Sequence, residues 1–204
     1  MESLLISLPV LIFSVIVHEV AHGWTALRLG DPTAWRAGRL TLDPRPHIDP
    51  FMSLLVPAMC ILSGAPVFGG AKPVPVNPWH FRHPSRDMAI VAAAGPASNL
   101  ALAFLAGLLI NRLPAGLMVG ALPDVLFALL VINLVLAAFN LLPLPPLDGS
   151  RVVAHFLPAP LADRYRQMDR FGMILLVLVI VFLRAPLLGY LHWFLRTVGG
   201  LMVS

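Results

Sequence analysis

Four stretches of this chain are apolar for long enough to be read as membrane-crossing helices: residues 4–27, 88–110, 121–142 and 168–183. A helix needs about 20 apolar residues to cross the hydrocarbon core, so the last of these is short. The tail at 186–203 reads either as a fifth span or as an interfacial helix. Its Tyr190, His192, Trp193 and Arg196 are residues that favour the headgroup region. A further apolar run at 50–68 contains Pro57, Gly64 and Pro66, which suit a broken or re-entrant segment. Lys72–Asn77 alternates prolines with valines and is expected to be extended. The pattern predicts an all-α polytopic membrane protein: a bundle of four to five transmembrane helices plus a re-entrant segment and a short extended loop. No repeat, low-complexity tract or linker divides the sequence, so residues 1–204 are expected to form a single domain.

Charge decides how the run at 50–68 is placed. Arg28, Arg36, Arg39 and Arg45 precede it, and Lys72, Arg82 and Arg86 follow it. A crossing would expose one of these basic loops outside, against the positive-inside tendency. A re-entrant path leaves both loops inside, together with the loop from Arg151 to Arg170. Eleven of the fourteen Lys and Arg residues are then cytoplasmic, with Arg112 and Arg184 at the outer ends. The first helix runs from outside to inside and is expected to be retained, because Met1-Glu2-Ser3 lacks the basic start of a signal peptide.

Composition narrows the class further. The chain is 58% hydrophobic and 12% charged, far from a soluble domain of 204 residues. The net charge of +4 comes from arginines spaced between apolar stretches, not from one basic face, so no nucleic-acid partner is expected. Cys60 is the single cysteine, which excludes an internal disulfide and makes a thiolate metal site implausible.

The first apolar stretch holds the main chemical signal. His18-Glu19-Val20-Ala21-His22 sits inside it, and Glu19 is the only carboxylate between Leu4 and Leu27. Ionisable residues at membrane depth are costly and persist where they have a function. Positions i and i+4 share a helix face, so both imidazoles point one way, with Glu19 on an adjacent face. His-Glu-x-x-His is the zinc-helix pattern of metalloproteases, two ligands and a general base. His18 lies about 15 Å from the helix end at Arg28, from the rise per residue.

A catalytic zinc needs a third protein ligand. Asn140-Leu-Leu-Pro-Leu-Pro-Pro-Leu-Asp148-Gly149 offers one, because Pro143, Pro145 and Pro146 must unwind the third helix there. Unwound backbone at membrane depth is tolerated where it is buried in protein or lines a cavity. Asp148 alone could equally be a cap after a proline turn, since Asp-Gly is common turn chemistry. The topology above puts it on the same side as His22.

With these motifs the sequence resembles the site-2 proteases, intramembrane zinc metalloproteases. His18-Glu-x-x-His22 is similar to their zinc helix, and Asn140-x-x-Pro-x-Pro-x-x-Asp148-Gly149 to their second signature. Gly95-Pro-Ala-Ser-Asn99 looks like their Gly-x-x-x-Asn element. Gly70-Ala-Lys-Pro-Val-Pro-Val-Asn77 resembles a loop of the compact bacterial members. The likeness spans Val17 to Arg151, about two thirds of the chain. In contrast to the larger members, neither a PDZ domain nor a nucleotide-sensing (CBS) domain is expected.

The resemblance implies one catalytic Zn²⁺ in the bundle core, held by His18, His22 and Asp148, with Glu19 as the general base. Asn99 and Asn140 take either of two roles, substrate or oxyanion contact or interhelical hydrogen bonding. Asn133 has no motif behind it and reads as interhelical glue. Lys72–Asn77 reads either as an edge that pairs with an unwound substrate or as a plug over the cavity. His47, His80, His83, His155 and His192 read as headgroup-facing or solvent-facing residues. The implied activity is hydrolysis of peptide bonds in transmembrane or membrane-proximal proteins at the cytoplasmic side of the cell membrane. Substrate selection falls to the membrane core, its loops or a separate regulatory membrane partner. Two rival readings stand beside it: a divalent-cation transporter, and a non-catalytic scaffold of the same fold.

Overall fold

The computed structural model describes residues 2–49 and 71–202. The re-entrant run expected at 50–68 and Cys60 lie outside the described residues. Helices dominate, and no strand occurs among the described residues.

Three helices are long and apolar enough to cross a membrane. They are α1 (Glu2–Arg28), α3 (Pro84–Arg112) and α4 (Leu122–Asn140), with the single turn α2 (Thr33–Arg36) between the first two. Pro9 and Pro96 lie inside α1 and α3 without ending them, as membrane helices tolerate. Leu4, Leu5, Leu8, Phe104, Leu105 and Phe127 are exposed on the outside of the bundle. Such a rim is a liability in water and normal in lipid, which makes this a membrane protein. At the end of α1 the Arg28 guanidinium stacks over Trp24, 5.1 Å from the ring centre, an interfacial pairing.

α1 and α3 are antiparallel: Ser14 meets Asn99 at one level, and Ala26 packs with Val91 and Phe81 at another. α3 and α4 pack through Ala103, Ala106, Leu130, Leu134 and Ala138. The alanines are fully buried, and their small side chains let the backbones approach closely. The first turn of α3 is closed by Asp87, which accepts a hydrogen bond from the His83 N–H at 3.0 Å.

After Asn140 the helix ends as the prolines require. The Pro145–Pro146 bond is cis, and the freed Pro143 carbonyl accepts from the Tyr165 hydroxyl at 2.7 Å. Two short helices follow, α5 (Asp148–Phe156) and α6 (Ala159–Gln167).

The C-terminal part differs in shape from a simple fourth and fifth span. α7 (Gly172–Phe182) has 11 residues, about 16 Å of helix against a core of about 30 Å. The segments Ala159–Phe182 and Arg184–Met202 form a pair bent by 88° that counts at most as one further span. α8 (Arg184–Phe194) leads through a π turn to Met202. This tail lies against the bundle: the Tyr190 hydroxyl donates to the Ala138 carbonyl at 3.1 Å, and Phe194 joins the α3–α4 core.

Candidate metal centre

His18, His22 and Asp148 converge. They form the one group of three or more His, Cys, Asp or Glu side chains among the described residues arranged to hold a metal ion. Both imidazoles are buried. His18 Nε2 is 3.0 Å from His22 Nε2, and Asp148 Oδ2 is 3.1 Å and 3.3 Å from those two atoms. A tetrahedral zinc with bonds of about 2.1 Å separates its donors by about 3.4 Å, so these atoms stand near the edges of such a site.

The far side of each ring fixes what the near side offers. His22 Nδ1 is 2.7 Å from the Val91 carbonyl oxygen, which can only accept. His18 Nδ1 is 2.7 Å from Asn99 Oδ1. Both Nδ1 atoms therefore carry the proton, and both Nε2 atoms present lone pairs. Asp148 Oδ2 is buried and accepts no hydrogen bond. Two lone pairs and an unpaired carboxylate oxygen at 3.0–3.3 Å repel one another unless a cation lies between them. The donor set, two imidazoles and a carboxylate, fits Zn²⁺.

Local sequence explains the approach of the three chains. At Gly95 a Cβ atom would lie 2.5 Å from the Cε1 atoms of both His18 and His22, so only glycine lets α3 seat against the two rings. At Gly149 a Cβ would lie 2.5 Å from the Leu142 carbonyl oxygen. The glycine after Asp148 thus allows α5 to start hard against the unwound end of α4.

Glu19 faces the segment at 71–77. Its Oε2 accepts a hydrogen bond from the Val74 N–H at 2.7 Å. The same segment is tied at both ends. The Lys72 N–H donates to the His47 carbonyl at 2.9 Å, and the Lys72 carbonyl accepts from Arg39. The Asn77 N–H donates to Asp31 Oδ2 at 2.6 Å. Pro73 and Pro75 have no N–H, so the donors of Lys72, Val74 and Asn77 are already engaged within the chain.

Asp31 was not foreseen from the sequence. It is fully buried and also takes hydrogen bonds from the Thr33 N–H at 3.0 Å, the Thr33 hydroxyl and His80 Nδ1. Burial pushes its carboxyl up, but these hydrogen bonds outweigh it and hold the group below the usual carboxylate range. The available signal was Asp31-Pro32-Thr33, a turn in which an Asp side chain bonds the backbone two residues on.

The remaining candidates separate. Asn99 is fully buried behind His18, with its Nδ2 bonded to Asn133 Oδ1 at 2.8 Å. Asn140 turns back along its own helix and donates to the Leu136 carbonyl at 2.9 Å. His47 corrects the sequence reading. It is buried, not headgroup-facing, with Nε2 2.9 Å from the Thr41 carbonyl oxygen. His80 is exposed in part but pairs with Asp31, and His155 meets the Ser85 hydroxyl at 3.2 Å.

Comparison with known proteins gives one consistent picture. The model of Peptidase family M50 matches residues 116–182, which include Asp148 but not the helix of His18 and His22. "Putative zinc metalloprotease YwhC" of Bacillus subtilis is 39% identical, over 93% of this chain and 84% of its own length. "Putative zinc metalloprotease Rip2" of Mycobacterium tuberculosis is 35% identical, over 91% of this chain and 68% of its own. No solved structure matches the chain.

Proposed function

The chain belongs to Peptidase family M50 and is a zinc metalloprotease, and from that premise we propose that it cleaves peptide bonds of transmembrane or membrane-proximal proteins. The observation that carries this reading is the convergence of His18, His22 and Asp148 beside Glu19, within the apolar helix α1. His18, His22 and Asp148 hold one Zn²⁺. When bound, the metal lowers the pKa of water and polarises a peptide carbonyl. Glu19 accepts the proton of the attacking water at its carboxylate and returns it to the leaving amine. Asn99 and Val91 keep the two imidazoles in the tautomer that offers Nε2. Both imidazoles are buried in the bundle, and a surrounding of low dielectric strengthens each of these interactions.

The placement proposed is the cell membrane, with the site open to the cytoplasmic side. It rests on the eleven cationic residues that the charge map puts inside and on the shared end of α1, α4 and α5 at which Asp148 meets His22. Its partners are then the bilayer and a membrane-protein substrate whose helix is locally unwound, because a helix hides its carbonyls. The cation-transport reading is not favoured, as the relatives bear the names of zinc metalloproteases.

The test uses the full chain purified in detergent with a transmembrane reporter peptide. It should contain about one Zn²⁺ per chain and cleave the reporter. Glu19→Gln should keep the metal and lose activity by about 10²–10⁴-fold, the scale of general-base catalysis. Undiminished cleavage by Glu19→Gln would sink the mechanism.

A further inference from the structure

We propose that Asn133 and Ser14 are positioning residues for the metal centre, setting the tautomer of His18 through Asn99. The inference rests on the reading of His18 as a zinc ligand. Ser14 on α1, Asn99 on α3 and Asn133 on α4 are each fully buried, one from each spanning helix. They form a single hydrogen-bonded chain that ends on His18. Asn133 Nδ2 donates to the Leu129 carbonyl at 2.8 Å and to Ser14 Oγ at 2.8 Å. Asn133 Oδ1 accepts from Asn99 Nδ2 at 2.8 Å, and that nitrogen also lies 3.4 Å from the Ser14 carbonyl oxygen. Asn99 Oδ1 then faces His18 Nδ1 at 2.7 Å.

The chain has a direction, and main-chain carbonyls impose it. A backbone carbonyl can only accept, so Leu129 requires the amide nitrogen of Asn133 to face it. Asn133 must then show its oxygen to Asn99, and Asn99 must show its oxygen to His18. The proton of His18 is thereby held on Nδ1, leaving Nε2 free toward His22 and Asp148. Reversing Asn99 alone would set its oxygen against that of Asn133. Reversing both would set the Asn133 oxygen against the Leu129 carbonyl. Either leaves two buried acceptors face to face, which is costly in a low-dielectric interior. A reversed Asn99 would also move the His18 proton to Nε2 and block the ligand atom.

The experiment compares Asn133→Leu, which is close in volume and removes both polar ends, with the milder Ser14→Ala. Tyr190→Phe is the control, because it loses an interhelical hydrogen bond to the Ala138 carbonyl away from the site. Zinc affinity of the detergent-purified full chain is measured by chelator competition. The His18 tautomer is read from imidazole ¹⁵N shifts in the metal-free protein. Asn133→Leu should bind zinc about 10–100-fold more weakly, the usual effect of losing an outer-shell partner. Its His18 should show a population protonated on Nε2. Ser14→Ala should shift both readouts the same way by less, and Tyr190→Phe should shift neither. Parental affinity and an unchanged His18 tautomer in Asn133→Leu would overturn the proposal; if that variant does not fold, the same result in Ser14→Ala would do so. A parent chain that binds no zinc would instead overturn the reading of the metal site, while the tautomer measurement would still judge the relay.

Discussion

The carboxylate of Glu19 and the amide of Val74 meet at 2.7 Å, with Glu19 Oε2 accepting from the Val74 N–H. The proposed general base therefore touches the one backbone donor that lies between Pro73 and Pro75. A hydrogen bond to a charged group contributes about 1.5–3 kcal/mol, enough to select one Glu19 rotamer. The segment at 71–77 is thus coupled directly to the carboxylate proposed as general base.

Val74→Pro removes this donor and suits a segment that already alternates proline. The variant should retain its zinc and lose about tenfold or more in kcat, as Glu19 is no longer held. Initial rates on the reporter peptide, alongside metal content, check this. A faster variant would mean that the segment restrains the enzyme instead of orienting Glu19.

Gly95→Ala places a methyl group against both imidazoles. Overpacking of this kind costs about 1–3 kcal/mol, and here the strain falls on the ligands. Zinc content and melting temperature should both drop. The same exchange at Gly189, where nothing lies within 4 Å of the added Cβ, should leave the zinc content unchanged.

Removing the metal leaves the two Nε2 lone pairs and the unpaired Asp148 oxygen facing one another. The melting temperature should therefore rise with free Zn²⁺ concentration, as expected for a ligand bound only by the native state. Asp148→Ala should flatten that dependence. Equal zinc-dependent stabilisation of the parent and Asp148→Ala would refute Asp148 as a ligand.

Asp31 makes the anchoring of the segment at 71–77 dependent on acid. Its folded pKa lies below the ordinary value, so its contribution is complete above about pH 4. That contribution is lost as the pH falls toward the lower, folded value. The stability gap between the parent and Asp31→Asn should be constant near neutrality and shrink below about pH 4. Thermal unfolding in detergent across that range measures it; a gap that widens on acidification would contradict the assignment.

Much of the fold was legible because its determinants are local. The apolar runs at 4–27, 88–110 and 121–142 became α1 (Glu2–Arg28), α3 (Pro84–Arg112) and α4 (Leu122–Asn140), close to the expected bounds at every end. The sequence marked the run at 168–183 as short, but not that its helix would be bent sharply from the next. Beyond the bend, Tyr190 and Phe194 dock on α3 and α4, and docking leaves no periodic trace. His47 was misread for a related reason: a histidine in a polar loop looks exposed until the loop folds over it.

By itself the sequence determined the helical periodicity, the shared face of His18 and His22, and the break at the prolines before Asp148. Each of these follows from backbone geometry over a few neighbouring residues. Only the tertiary structure decided that Val74 would meet Glu19, that Asp31 would be buried, and that Asn133 and Ser14 would stand behind Asn99. The long-range contacts among these join residues 34 to 119 positions apart, and the direction of the Asn99–Asn133 chain is set by which buried carbonyl lies opposite which amide. Such pairing exists only once the helices have packed.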